Sequence, residues 1–187
     1  MAAVETSKIP LGYKASDFSL KDTISGEVYT LQDLYSDKAT VVAFICNHCP
    51  YVKHIFDGLV QMANDYQNKG VSFVVVSSND VVNYPEDSPV KMKETALQYR
   101  FPFPYLYDVD QKVAKDYFAE CTPDFSIFDG DLKCIYRGQM DNSRPGNGIP
   151  VTGTDIRDAL DTVLQGRTVN PNQIPSLGCS IKWIPGK

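Results

Sequence analysis

The sequence predicts an α/β fold: a central mixed sheet flanked by helices, with an N-terminal hairpin as an extension. Three observations carry this. Two short, almost wholly apolar runs, Thr40 to Ile45 and Val71 to Val76, are separated by a long amphipathic segment, the pattern of parallel strands joined by a crossover helix. A later pair of apolar runs, Phe125 to Phe128 and Leu132 to Arg137, flanks Asp129-Gly130-Asp131 and reads as an antiparallel hairpin. A final amphipathic segment, Thr154 to Gln165, closes the order.

The elements follow in chain order. Met1 to Ala15 reads as an extended arm. Asp17-Phe18-Ser19-Leu20 and Val28-Tyr29-Thr30-Leu31 alternate apolar and polar around Ser25-Gly26, a hairpin signal. Gln32 to Lys38 is a short helix or turn. The valines and isoleucine of Thr40 to Ile45 suit a strand covered on both faces. From Pro50 the apolar positions Val52, Ile55, Phe56, Leu59, Val60, Met62, Ala63 and Tyr66 recur at spacings of three and four, so one helix face is buried. Pro50 fits the first turn, where its missing N–H costs nothing, and Gly70 follows the end. Val71 to Val76 is the second buried strand. Ser88 and Pro89 open a helix that runs to about Tyr99. Phe101-Pro102-Phe103-Pro104 is a stiff connector to a short strand, Tyr105 to Tyr107. Val109 to Phe118 is a further short helix. A polar loop, Gln139 to Gly153, separates the hairpin from the last helix. Thr168 to Lys187 is an irregular tail.

Composition narrows the class. The 187 residues are 43% hydrophobic and 22% charged, ordinary for a globular chain that can bury a sizeable core. A net charge of −5 without a basic cluster argues against nucleic acid as a partner. No run is long enough to span a membrane, so no membrane partner is expected. Met1 to Lys8 has no apolar signal-like stretch, which predicts the cytoplasm. Five cysteines, an odd count, leave at least one thiol free or cycling.

The chemistry concentrates in Cys46-Asn47-His48-Cys49, between the first buried strand and the long helix. There the unpaired N–H groups and the macrodipole favour a negative charge. A thiolate is what such a place stabilises, and a thiolate is the nucleophile of disulfide chemistry. Cys46 is expected as nucleophile at the exposed edge of the helix start, with Cys49 as resolving thiol. His48 is placed to stabilise a Cys46 thiolate, and Asn47 shares the motif. A structural zinc site needs four ligands, and no second Cys-x-x-Cys or His-x-x-x-His is present, so neither metal nor cofactor is expected. Cys121 and Cys134 read as packing residues, Cys179 stays undecided, and His54 reads as a surface or packing residue. Arg137, Asp141, Asn142, Arg144 and Asn147 read as a solvated polar loop rather than a substrate surface.

With Thr122-Pro123-Asp124-Phe125 leading into a hairpin strand, and Ala15-Ser16-Asp17-Phe18-Ser19-Leu20 near the start, the chain resembles the thioredoxin superfamily. Within it the chain is similar to the AhpC/TSA and TlpA-like proteins. The likeness spans about residues 14 to 166 of what reads as a single thioredoxin-like domain over 1–187, leaving a tail over 167–187. It implies a cis Pro123 against the thiols and a Thr122 that offers its backbone to substrate. It departs in having Ile45 where thioredoxins carry Trp, Thr40 where they carry a buried acid, and Asn47-His48 between the cysteines. The implied activity is thiol–disulfide exchange in redox homeostasis, with a disulfide-bearing protein or small-molecule thiol as substrate and a further reductant or oxidant as partner. Thiol peroxidase is the second reading. Its Pro-x-x-x-Thr-x-x-Cys pattern fails here: set on Cys49 it meets Val42 and Cys46, and set on Cys46 it meets Ala39 and Ala43. A thiolate carrier of copper ranks third.

Overall fold

The computed structural model describes residues 3–186; Met1, Ala2 and Lys187, which the sequence reading placed in the arm and the tail, lie outside it. Seven strands form the main sheet, in the order β3-β2-β6-β5-β4-β8-β9. They are β2 (Ser19–Asp22), β3 (Val28–Thr30), β4 (Ala39–Phe44), β5 (Val71–Ser77), β6 (Tyr105–Tyr107), β8 (Asp124–Asp129) and β9 (Cys134–Gly138). β4 is central: it runs parallel to β5, and antiparallel to β8. All six of its residues are buried, which is why its sequence carries no alternation.

Helices cover both faces. One face packs α2 (Pro50–Gln67), α3 (Pro89–Tyr99) and α5 (Thr154–Leu164) on Val41, Ala43, Phe73 and Val75. The other packs α4 (Lys112–Asp116) and Leu31 of α1 (Leu31–Leu34) on Val42, Phe44, Val74 and Val76. The odd and even residues of the two central strands thus feed separate cores, as a pleated strand requires. α2 buries Val52, Ile55, Phe56, Leu59, Met62, Ala63 and Tyr66, seven of the eight apolar positions that its spacing marks. Gly70, at φ +87°, turns the chain out of the helix and into β5.

Three expectations need correction. Ser88 is the N-cap of α3 by position, but its side chain makes no capping hydrogen bond. α4 is shorter than Val109 to Phe118, because Gln111 sits at φ 62° just before it and Phe118 at φ 56° just after. The tail is not irregular. Leu177–Ser180 forms β10, the middle strand of a second sheet between β1 (Ala3–Glu5) and β7 (Cys121–Thr122). Both pairings are antiparallel, with Cys179 opposite Thr122 and Val4 opposite Gly178. Ser176-Leu177-Gly178-Cys179 has too little β-branched or alternating character to announce a strand, so only its partner strands define it.

Candidate active site

β4 delivers the motif to the start of α2. Cys46 follows Ile45 on the loop, and Cys49 is the N-cap of the helix, with Pro50 at its first position. Cys49 C=O accepts from the Val52 and Lys53 amides at 3.1 and 3.0 Å, so the backbone that carries the second sulfur is fixed by the helix itself. From the other side comes the turn at Thr122-Pro123, whose peptide bond is cis. Thr122 touches both sulfurs: its hydroxyl lies 3.2 Å from Cys46 Sγ, and its carbonyl accepts from Cys49 Sγ at 3.3 Å. Cys46, Cys49, Thr122 and Pro123, far apart in sequence, therefore form one cluster, and all five cysteines are free thiols.

Neither sulfur lies at an exposed edge. Cys46 is 1% exposed and Cys49 is 0% exposed, a correction to the expected surface position of the first thiol. The acidity is also distributed differently from expectation. The Cys49 thiol is lowered to about 5, chiefly because its thiolate accepts the Cys46 S–H, with Cys179 and the Val52 amide assisting against the cost of burial. Cys46 is held well above the ordinary thiol range by that same bond, by burial and by the Asp87 carboxylate. The pair thus gives up one proton readily and the second with difficulty.

Asp87 is the residue the sequence reading missed. It ends a short 3-10 turn, Pro85–Asp87, and is fully buried. Its Oδ1 accepts from the Asn47 and His48 amides at 2.7 and 3.2 Å, and its Oδ2 accepts from Asn79 Nδ2 at 2.7 Å. His48 Nδ1 lies 2.6 Å from the same Oδ2. A carboxylate ringed by fixed N–H donors acts as acceptor, which makes Nδ1 the donor and leaves the Nε2 lone pair free when the ring is neutral. Nε2 is buried and has no hydrogen-bond partner. The ring stacks on Tyr84, with centroids 5.6 Å apart. His48 was expected to stabilise a Cys46 thiolate. Instead its ring is tied to a carboxylate that opposes one. Asn47 completes the frame, donating to Glu86 C=O at 2.9 Å and accepting from the Tyr105 hydroxyl at 3.2 Å.

Thr40, the residue at the position of the thioredoxin acid, serves the fold: its hydroxyl accepts from the Ser36 amide at 2.9 Å. The buried carboxylate near the thiols reaches them from a different element. The sequence signal for it is faint, since Pro85-Glu86-Asp87-Ser88-Pro89 reads as punctuation before α3.

Cys46 Sγ, a His48 ring nitrogen and an Asp87 oxygen lie within 4.8 Å of one another. This is the one trio among the described residues close enough to hold a metal ion, but its carboxylate already accepts from four N–H donors, which leaves it poorly suited to a ligand's role. Cys179, left undecided by sequence, joins the thiols: it is 3% exposed, packs in the same apolar cluster and lies opposite Thr122 in the ladder. Cys121 and Cys134 bond backbone carbonyls, Pro123 C=O at 3.6 Å and Tyr136 C=O at 3.3 Å, as packing residues do. His54 Nε2 meets Ser143 Oγ at 2.6 Å and so ties α2 to the polar loop. In that loop Asp141 accepts from the amides of Ser143, Thr152 and Gly153, while Arg144 donates to the carbonyls of Asp141 and Ser143. These side chains hold the loop's own backbone.

The fold agrees with what the chain resembles among known proteins. The model of the AhpC/TSA family matches residues 11–137. An uncharacterized conserved protein from Geobacillus kaustophilus is 60% identical, with all of this chain covering 99% of that one at a TM-score of 0.98. A hypothetical protein from Sinorhizobium meliloti 1021 is 43% identical, with 97% and 99% of the two chains covered and a TM-score of 0.95. The thioredoxin domain of a thiol-disulfide oxidoreductase from Bacteroides vulgatus shares the fold at 17% identity, covering 70% of this chain and 89% of its own at a TM-score of 0.59. No curated protein matches. The chain therefore belongs to the AhpC/TSA family, a thiol redox family of the thioredoxin superfamily.

Proposed function

We propose that the chain is a thiol–disulfide oxidoreductase whose Cys46 and Cys49 cycle between dithiol and disulfide. The observation that supports it is the pair itself: two thiols with two residues between them at a helix start, both touching Thr122, with one acidic enough to be a thiolate at neutral pH. Cys46, on the loop side of the motif, attacks a substrate disulfide while its proton passes to the adjacent Cys49 thiolate. The released substrate thiolate takes that proton, and Cys49, charged again, attacks the mixed disulfide at Cys46. The products are a Cys46–Cys49 disulfide, one substrate thiol and one substrate thiolate; the substrate gains the two electrons that the dithiol loses. Thr122 and Pro123 shape the wall against which the substrate sulfur is presented. Asn47 and His48 hold the loop through Asp87. A separate reductant returns the disulfide to dithiol.

Insulin reduction with dithiothreitol as electron source tests this. Wild type accelerates precipitation of the insulin B chain, while Cys46→Ser and Cys49→Ser run at the uncatalysed rate. Wild-type protein that fails to exceed that rate with both insulin and glutathione disulfide would remove the proposal. Peroxide turnover that survives Cys46→Ser but not Cys49→Ser would favour the peroxidase reading, which the missing Pro-x-x-x-Thr-x-x-Cys pattern disfavours.

A further inference from the structure

Thr122 is shared by a third sulfur. β10 lies antiparallel to β7 with Cys179 directly opposite Thr122, the residue whose hydroxyl meets Cys46 Sγ and whose carbonyl meets Cys49 Sγ. Cys179 is buried and belongs to the same apolar cluster as Cys46 and Cys49, and its place opposite Thr122 puts its side chain on the face of the ladder that Thr122 turns to the thiols.

The placement is enforced from several directions. Gly178 lies so close to the thiol loop that a Cβ there would stand 2.1 Å from Thr122 O and 2.6 Å from Thr122 C. Ile181 N donates to Glu120 O at 3.0 Å, Lys182 N to Asn79 Oδ1 at 2.8 Å and Ser176 Oγ to Gly138 O at 2.7 Å. Asn79 also donates to Asp87, so the segment after Cys179 and the carboxylate under the motif hang on one side chain. Cys179 is thus held at the redox pair, unlike Cys134, which belongs to the cluster on the opposite face of the sheet. Cys121 faces Ser180 rather than Cys179 across the ladder.

We propose that Cys179 is a third redox thiol, which takes over the disulfide from Cys46. The proposal rests on the Cys46–Cys49 cycle above. In the oxidised pair, Cys179 Sγ attacks Cys49 Sγ. The Cys46–Cys49 bond breaks, a Cys49–Cys179 bond forms, and the proton of Cys179 passes to the departing Cys46 sulfur. No electrons enter or leave, and the two oxidising equivalents move from the motif to a bond between α2 and β10. Cys46 returns as a thiol, and an external dithiol reduces the new bond in a later step.

The test is peptide mapping of the full chain after oxidation with glutathione disulfide and trapping of free thiols by alkylation. Trypsin, cutting after Lys38, Lys53, Arg167 and Lys182, releases peptide 39–53 with Cys46 and Cys49, and peptide 168–182 with Cys179. Wild type is expected to yield the two peptides cross-linked, with Cys46 alkylated, beside the internal Cys46–Cys49 disulfide. Cys46→Ser raises the cross-linked fraction, and Cys49→Ser abolishes it. An internal Cys46–Cys49 disulfide with Cys179 fully alkylated, or Cys179 bonded to Cys121, would overturn the proposal and leave the oxidoreductase reading intact. Failure of wild type to form either disulfide would overturn that reading itself. Wild type alone decides if a variant does not fold.

Discussion

Asp87 acts on the motif through its backbone, since it binds two consecutive amides between the cysteines and the ring of His48. Its charge, within 4.8 Å of Cys46 Sγ, works against a thiolate there. Asp87→Asn removes the charge and so favours the Cys46 thiolate; at alkaline pH, where that thiolate forms, the reduced form is stabilised and equilibration against glutathione should show a less negative potential. The same change sets an amide donor against N–H donors and should cost about 1–3 kcal/mol in urea unfolding. An unchanged potential would mean that the carboxylate is only structural. The acidic Cys49 gives a second test. Below about pH 5 both thiols are protonated, and oxidation releases two protons. Above it Cys49 is already charged, and oxidation releases one. The potential should therefore fall by about 59 mV per pH unit below that point, and by only about 30 mV above it, for a two-electron couple. A slope that stays at the steeper value up to pH 8 would place the Cys49 thiol in the ordinary range.

Among the elements, β10 is set by close approach rather than by β propensity. Gly178→Ala should push the strand off Thr122, cost about 1–3 kcal/mol as overpacking does, and speed alkylation of Cys179. Equal alkylation rates in variant and wild type would show that the ladder tolerates the methyl group. In α2, Leu59→Ala should cost about 2–5 kcal/mol in the same urea assay, because Leu59 is fully buried in the core that seats the motif. These two elements also mark what the sequence could disclose. α2 was legible because its apolar positions repeat at helical spacing and Pro50 and Gly70 punctuate it. β4, β5 and the β8–β9 hairpin were legible as apolar runs. β10 and β1 were not, because each is short and acquires strand geometry only from a partner distant in sequence. The site divides in the same way. The two cysteines and the Thr122-Pro123 turn carried local signals, whereas Asp87 and Cys179 reach the thiols through tertiary contacts that local pattern does not encode.

Across the whole molecule, a buried ion pair braces the two strands of the late hairpin, and its arginine ties that hairpin to the segment after α4. Arg137 of β9 reaches Asp124 Oδ2 at 3.2 Å, and donates to the Tyr117 carbonyl at 3.1 Å and to that of Phe118. Asp124 directly follows Pro123, so this pair also steadies the wall of the thiol site. Burial raises the Asp124 carboxyl to about 6 despite the guanidinium. Arg137→Leu would leave that carboxylate unpaired and should cost about 3–5 kcal/mol at pH 7, less at pH 4, where the acid is neutral. A loss equal at both pH values would mean that lost packing, not the uncompensated charge, sets the cost. The segment that carries Cys179 continues to Trp183, the sole indole of the chain, which is 39% exposed with the Lys115 ammonium 5.8 Å from its ring. An intrinsic fluorophore therefore sits four residues beyond the third sulfur. Undocking of the strap would move that ring from a cationic neighbour into bulk water, and the emission colour of unlabelled protein would register the event in real time.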